Sequence, residues 1–162
     1  MLSFILAGVA AVIFFAADRI SKALVVANMS LGDSAPLIPK LFNLYFVHNS
    51  GGAWGILAGY TWLLLSITAV IMIIGVTVLI CKGTKNKWLF WAVSLILSGG
   101  LGNMYDRIFN GGRVIDFIQF DFWQSFPIFN IADCAIVIGC AVLILYFILD
   151  AVKPSEKEEK AE

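Results

Sequence analysis

The stretch that decides the fold is residues 60–81, YTWLLLSITAVIMIIGVTVLIC, which contains no charged side chain. An α-helix of this length rises about 33 Å, enough to cross the ~30 Å hydrocarbon core of a bilayer. Three lysines follow at once, Lys82, Lys85 and Lys87, and end the apolar run. The stretch therefore predicts a membrane-spanning helix.

Charge is scarce in the rest of the chain as well. Of the 162 residues, 60% are hydrophobic and 14% are charged, whereas ordinary soluble domains are roughly 25% charged. Eight of the 22 charged residues lie in the last 13 positions. This composition excludes a soluble globule, a disordered chain and a nucleic-acid-binding module, and it predicts an integral membrane protein.

Three more apolar runs predict further spans, at residues 2–17, 88–105 and 129–149. The first run has 16 residues, too few to cross the bilayer as a helix, so we expect this helix to continue through Asp18 and Lys22. Four spans place both ends of the chain on the same side of the membrane.

The lysine-rich loop 82–87 sets the expected orientation, because short loops rich in Lys and Arg face the cytoplasm. Both termini are then cytoplasmic. We expect one four-helix membrane domain over residues 1–152 and a polar cytoplasmic tail over 153–162. Basic residues such as Arg19 and Arg113 would lie toward the outer face, against this rule, which suggests that partners within the protein hold them.

Two segments would lie outside the membrane, at about residues 25–59 and 108–128. Each contains a β-prone run, 41–47 in the first and 114–120 in the second, and these runs could pair as strands. The expected fold is therefore an integral membrane protein, mainly α, with four transmembrane helices and a small extracytoplasmic β-platform.

Ionisable side chains inside or beside membrane spans are costly and call for partners. Asp18 and Lys22 are four residues apart and would share a helix face as a local pair. Asp106 and Arg107 could neutralise each other at the surface. Asp133 has no basic residue near it on its C-terminal side, so it needs a tertiary partner or a proton.

Several of these acids and asparagines would meet near the outer membrane surface. Two adjacent carboxyl groups share one proton, and this state serves an aspartic peptidase, in which one group activates water and the other supports the carbonyl oxygen. The same state could serve a small proton-coupled membrane transporter, and the acids could also be pairing residues in a non-catalytic assembly protein. Composition and spacing alone leave these alternatives open.

The motifs themselves are more specific, because five of them occur in order between positions 18 and 133. The motifs are DRISK at 18–22, HNSGGAWG at 48–55, GGLGNMYDR at 99–107, VIDF at 114–117 and FNIAD at 129–133. In this order and spacing the chain resembles bacterial lipoprotein signal peptidase (signal peptidase II), a four-span aspartic peptidase of the cytoplasmic membrane.

The resemblance implies a role for each matching residue. The implied catalytic pair is Asp116 and Asp133. The residues implied to hold substrate or orient the pair are Asn49, Gly51, Asn103, Arg107 and Asn130, and those implied to support the site are Asp18, Lys22 and Asp106.

The resemblance also implies the reaction and its setting. The substrate would be a prolipoprotein that already carries diacylglycerol on a cysteine, and the bond before that cysteine would be cut, which removes the signal peptide. The partners would be this substrate and membrane lipid, without nucleic acid, and we expect a monomer. No metal or organic cofactor is implied, and the site would lie near the outer face of the bacterial cytoplasmic membrane.

Overall fold

The computed structural model describes residues 1–82 and 86–152. The centre of the lysine-rich loop, 83–85, and the polar tail, 153–162, lie outside the described residues. Four helices account for most of the described part of the chain: α1 Leu2–Asn28, α2 Thr61–Cys81, α3 Lys87–Phe109 and α4 Ile131–Ala151.

The predicted spans agree with these helices to within a few residues. The first run does continue as a helix past Asp18 and Lys22, to Asn28. By length and composition, α1, α2 and α4 can cross a membrane. The remaining helix, α3, is 23 residues long but more polar, and it packs against each of the other three helices.

Small residues explain how closely α3 packs. A Cβ at Gly102 would lie 2.8 Å from Asp18 Oδ2 and 3.1 Å from Ala132 Cβ, so only glycine lets α1 and α4 approach α3 at this point. One turn earlier, Ser98 donates a hydrogen bond to the carbonyl of Ala11, at 2.6 Å. Ser94, Ser98 and Gly102 recur every four residues along α3, a spacing of small residues that is typical of close helix contact.

Three antiparallel strands form a sheet in the order β1-β2-β3, with β1 at Ser34–Ile38, β2 at Phe42–Asn49 and β3 at Val114–Phe120. The predicted pairing of the two β-prone runs is confirmed as the contact between β2 and β3. Pro36 lies in β1, the edge strand, where its missing N–H leaves no central ladder incomplete.

The sheet is fastened to the helices through one of its faces. Phe46 of β2 and the β3 residues Ile115 and Phe117 pack with Val25 near the end of α1. Because successive side chains of a strand point to opposite faces, Asp116 projects from the other face of the sheet. That face looks toward the start of α4.

Candidate active site

A cavity of about 490 Å³ lies where the sheet meets α3 and α4. Its wall is mostly apolar, and its few polar side chains include both carboxylates of the implied catalytic pair. The polar lining residues are Asn49, Asn103, Arg107, Asp116 and Asp133.

Asp116 reaches this cavity from the middle of β3. It is 2% exposed, and both of its oxygens accept hydrogen bonds from amides: Oδ2 from Asn49 Nδ2 at 2.8 Å and Oδ1 from Asn130 Nδ2 at 2.6 Å. The pKa of Asp116 is raised to about 7, chiefly by burial and also by the charge of Asp133, while the two amides oppose the rise. Its carboxyl group therefore holds a proton in a pH range where ordinary carboxyls are ionised.

Asp133 is held by the local structure at the start of α4. Asn130 and Asp133 form a capping box: Asn130 Oδ1 accepts a hydrogen bond from the backbone N–H of Asp133 at 2.9 Å, and Asp133 Oδ2 accepts one from the backbone N–H of Asn130 at 3.1 Å. This pattern of Asn followed three residues later by an acid begins many helices. The other oxygen, Oδ1, accepts a hydrogen bond from Asn103 Nδ2 at 2.7 Å.

Asn130 is the residue that brings the two acids together. Its side chain donates to Asp116, and its backbone N–H donates to Asp133. It is fully buried, at 0% exposure. The two carboxyl groups thus share a neighbour as well as a cavity.

The loop after β2 positions Asn49. Gly51 donates its backbone N–H to Asn49 Oδ1 at 2.9 Å, which turns the amide nitrogen toward Asp116. A Cβ at Gly51 would lie 2.6 Å from the backbone nitrogen of Ala58, so no larger residue fits this turn. Gly51 is buried and contacts Asn49, which is consistent with the implied grouping of Gly51 with the residues that hold substrate or orient the pair.

Behind the cavity, α1 and α3 share a buried cluster of four charges. Lys22 Nζ lies 3.0 Å from Asp18 Oδ1 and 2.7 Å from Asp106 Oδ2. Arg19 Nη2 lies 3.1 Å from Asp18 Oδ2 and 2.7 Å from Asp106 Oδ1. Two acids and two bases therefore neutralise each other, and the expected pairing of Asp18 with Lys22 is confirmed.

The alternative that Asp106 and Arg107 form a surface pair is wrong. Asp106 is 0% exposed, and its ionic partners come from α1, because packing of α1 on α3 brings residues 87 positions apart into contact. Arg19 was missed as a member of this cluster. Its position next to Asp18 was the available signal, but sequence does not show which way its side chain turns. Arg113, in contrast, is exposed.

Arg107 instead borders the cavity. Its Nη1 donates to the backbone carbonyl of Asn103 at 3.3 Å. Its Nε is buried and has no hydrogen-bond partner among the described residues. A buried guanidinium N–H without a partner is costly, so this atom has bonding capacity to offer a ligand in the cavity.

The comparisons agree on one family. Its model, described as signal peptidase (SPase) II, matches residues 10–149. Proteins named lipoprotein signal peptidase are 38% identical in Desulfitobacterium hafniense (93% of this chain, 95% of the relative), 44% identical in Brevibacillus brevis (88% and 95%) and 40% identical in Staphylococcus aureus (96% and 94%).

Two solved structures, both described as bacterial membrane enzymes, share the fold. One has a TM-score of 0.84 at 36% identity and covers 96% of this chain and 93% of its own; the other has a TM-score of 0.78 at 36% identity and covers 96% of each chain. With its apolar helices, the protein is a multi-pass membrane protein, and the family favours a peptidase over a transporter. The chain belongs to the signal peptidase II family.

Proposed function

We propose that this protein is an aspartic endopeptidase that removes the signal peptide from diacylglyceryl-modified prolipoproteins by cutting before the lipidated cysteine. Membership of the family supports the substrate class. The observation that carries the aspartic mechanism is that Asp116 and Asp133 line one cavity and are both hydrogen-bonded to Asn130.

The proposed chemistry uses one shared proton. The ionised carboxylate takes a proton from water as the water oxygen attacks the carbonyl carbon of the scissile bond, and the protonated carboxyl gives its proton to the carbonyl oxygen. Collapse of the tetrahedral intermediate breaks the C–N bond: the departing amine takes up the proton that came from water, and the hydroxyl formed from the carbonyl oxygen returns its proton to the carboxylate that supplied it as the C=O bond forms. The pair then again holds one proton.

The other polar residues of the cavity have roles consistent with this step. Arg107 offers the unpaired Nε and a positive charge that favours oxyanion character at the scissile carbonyl. Asn49, Asn103 and Asn130 hold the two carboxyl groups in fixed orientations. In this proposal the amides orient the pair, and the arginine contacts substrate.

The apolar wall suits a lipid-bearing substrate. Val137 and Ile138 extend the cavity one turn along α4 from Asp133, and Phe120 and Phe126 close the side next to the sheet. Acyl chains that remain in the bilayer can enter a cavity that opens along a membrane helix. The peptide bond, in contrast, must meet water, which is available at the end of that helix. A cavity between the sheet and the ends of α3 and α4 satisfies both needs.

We also propose the orientation expected from the lysine-rich loop. Both termini and the tail 153–162 are cytoplasmic, residues 1–152 form one membrane domain, and the segments about 25–59 and 108–128 lie outside. The end of α1, the start of α2, the end of α3 and the start of α4 all connect to these segments. The catalytic pair then lies near the outer face.

Substitution of each proposed catalytic acid tests the mechanism. We expect Asp116→Asn and Asp133→Asn each to lower the cleavage rate of a lipidated precursor by about 10³-fold or more, because loss of a general acid or base removes that much catalysis. The measurement is cleavage by purified protein, with folding checked by circular dichroism and size-exclusion chromatography.

Asp121→Asn is the matched control, since Asp121 follows β3 directly and accepts a hydrogen bond from Asn43 rather than from the site. Its activity should remain close to that of the parent. Substantial cleavage by folded Asp116→Asn or folded Asp133→Asn protein would refute the aspartic mechanism.

A further inference from the structure

Asn103 lies between the buried charge cluster and the proposed catalytic pair. Lys22 Nζ donates to Asn103 Oδ1 at 3.2 Å, and Asn103 Nδ2 donates to Asp133 Oδ1 at 2.7 Å. Lys22 is 1% exposed and 81 residues away in sequence from Asn103. A lysine of α1 is therefore one amide away from a carboxyl group at the start of α4.

The chemistry of these groups fixes which one donates and which one accepts in each of the two hydrogen bonds that link Lys22, Asn103 and Asp133. An ammonium group has only donors, so the oxygen of Asn103 faces Lys22, and the amide nitrogen must then face Asp133. A carboxylate oxygen accepts from this nitrogen more strongly than a protonated carboxyl oxygen does, and a hydrogen bond to the charged form of an acid favours that form. Lys22 thus favours the ionised form of Asp133 through the orientation of Asn103.

A second donor does not make Lys22 redundant. Asn130 Nδ2 also lies within 3.0 Å of Asn103 Oδ1, but it lies 2.6 Å from Asp116 Oδ1 and 3.3 Å from the carbonyl oxygen of Ile115 as well. An amide nitrogen carries two hydrogens for these three acceptors. The shorter bond to Asp116 uses one of them, and the other is left for Asn103 or Ile115. Because an amide oxygen has two lone pairs, Asn103 Oδ1 can accept from both Asn130 and Lys22, and Lys22 is the donor of the two that carries a positive charge.

We propose that Lys22 is a positioning residue of the peptidase: through Asn103 it holds Asp133 as the carboxylate that activates water, and so leaves the shared proton on Asp116. This inference rests on the proposed aspartic mechanism and assigns the base and the acid within it. The charge of Lys22 also lowers the pKa of Asp116, against the stronger effect of burial.

The charges around the site balance in this state. Asp18 and Asp106 offset Arg19 and Lys22, and the positive charge of Arg107 offsets the single negative charge of a pair that holds one proton. Lys22 is the cation of the cluster whose charge lowers the pKa of Asp116, so its removal should make the pair bind protons more tightly. The titratable and charged groups that face Lys22 and the pair from α1, α3, β3 and α4 are Asp18, Arg19, Asp106, Arg107, Asp116, Asp133 and Cys134.

Arg19 provides a matched control within the same cluster. It contacts the same two acids as Lys22, Asp18 and Asp106. Its hydrogen bonds in the described part of the chain go to these acids, and none reaches Asn103. A purely structural role for the cluster would make Lys22→Met and Arg19→Gln behave alike.

The test compares pH–rate profiles of full-length protein in lipid-containing micelles with a lipidated precursor. For Lys22→Met we expect both limbs of the profile to move to higher pH by about one unit, as loss of a nearby cation raises the pKa of a carboxyl pair. Arg19→Gln should lower the rate only in proportion to folded protein and leave the profile in place. Identical profiles for the parent and both folded variants would overturn the inference.

A double variant, Lys22→Met with Asp18→Asn, removes one acid along with the base. It keeps the cluster neutral while Lys22, the charged donor to Asn103, is still missing. This double variant replaces Lys22→Met in the test if the single variant does not fold. Its pH–rate profile should also move to higher pH. An unmoved profile in the folded double variant overturns the inference. Activity in Asp116→Asn or Asp133→Asn would instead refute the proposed mechanism, so the two failures are distinguishable.

Discussion

At the residue scale, the site depends on asparagines as much as on aspartates. Amides from Asn49 and Asn130 bind Asp116, and an amide from Asn103 binds Asp133. An amide donates to a carboxylate without adding charge, so it can orient the pair and lower its pKa while leaving the charge balance unchanged. This explains how a cavity with two buried acids can be lined by a single cationic side chain, Arg107, among the described residues.

The pKa of Asp116 predicts the alkaline side of the pH profile. Because its pKa is raised to about 7, the group keeps its proton below that pH and loses it as the pH rises through that value. In the proposed mechanism the active state has one proton on the pair, so activity should fall above about pH 7. The measurement is kcat/KM for a lipidated precursor between pH 5 and 9.

Asn49→Ala gives this prediction a directional check. The amide of Asn49 lowers the pKa of Asp116, so its removal should move the alkaline limb to higher pH, with a lower maximal rate because the carboxyl group is less well held. A limb that moves to lower pH, or that stays in place in the folded variant, would contradict the assignment of this limb to Asp116.

At the element scale, α3 is the helix on which the others are assembled. It packs on α1, α2 and α4. Small residues such as Ser98 and Gly102 let α1 come close enough for Arg19 and Lys22 to reach Asp106, and for Asp18 to reach the start of α4. The backbone N–H of Ala132, one of the orphan donors at a helix start, donates to Asp18 Oδ1 at 3.0 Å. Helix packing and charge pairing therefore depend on each other.

Gly102→Ala tests this dependence. The new Cβ would lie 2.8 Å from Asp18 Oδ2, and a buried carboxylate held by two cations has little room to move. We expect a loss of about 1–3 kcal/mol in the free energy of unfolding together with lower activity. Thermal unfolding in detergent, followed by circular dichroism, measures the change.

Gly8→Ala is the control for the element-scale prediction. Gly8 is also a helical glycine, but a Cβ there would meet nothing within 4 Å. The substitution should be neutral or should stabilise the helix by up to about 1 kcal/mol. Equal destabilisation by both substitutions would show that space around Gly102 is not the cause.

At the scale of the whole molecule, a small sheet closes one end of a helical bundle. Phe46, Ile115 and Phe117 fix one sheet face on α1, and the opposite face brings Asp116 to the cavity. The alternation of side chains along β3 that buries Ile115 and Phe117 on one face also directs Asp116, the proposed catalytic acid, from the other face into the cavity. Sheet and bundle must therefore assemble together before the site exists.

Labelling with a membrane-impermeant maleimide tests the proposed orientation. In a variant without the native cysteines, Lys40→Cys, near the tip of the β1–β2 hairpin, should be labelled in intact cells. Asn86→Cys, just before α3, should be labelled only after the membrane is permeabilised. The reverse pattern would overturn the orientation and move the site to the cytoplasmic face.

Much of this structure could be predicted because its signals are local. Length and hydropathy mark the helices, alternation marks β2 and β3, and the Asn130–Asp133 spacing marks the start of α4. The identities of Asp116 and Asp133 as the acids of interest came from the order of the motifs. Each of these features depends on residues that are close together in the chain.

The sequence by itself determined that the chain enters a membrane, where its helices and two of its strands lie, and which acids belong to the implied site. Tertiary structure alone decided the partners of those acids: Asp106 with Arg19 and Lys22, and Lys22 with Asp133 by way of Asn103. Those contacts join residues 30 to 87 positions apart. They depend on how α1, α3 and α4 pack and which way long side chains turn, and neither is set by neighbours in sequence.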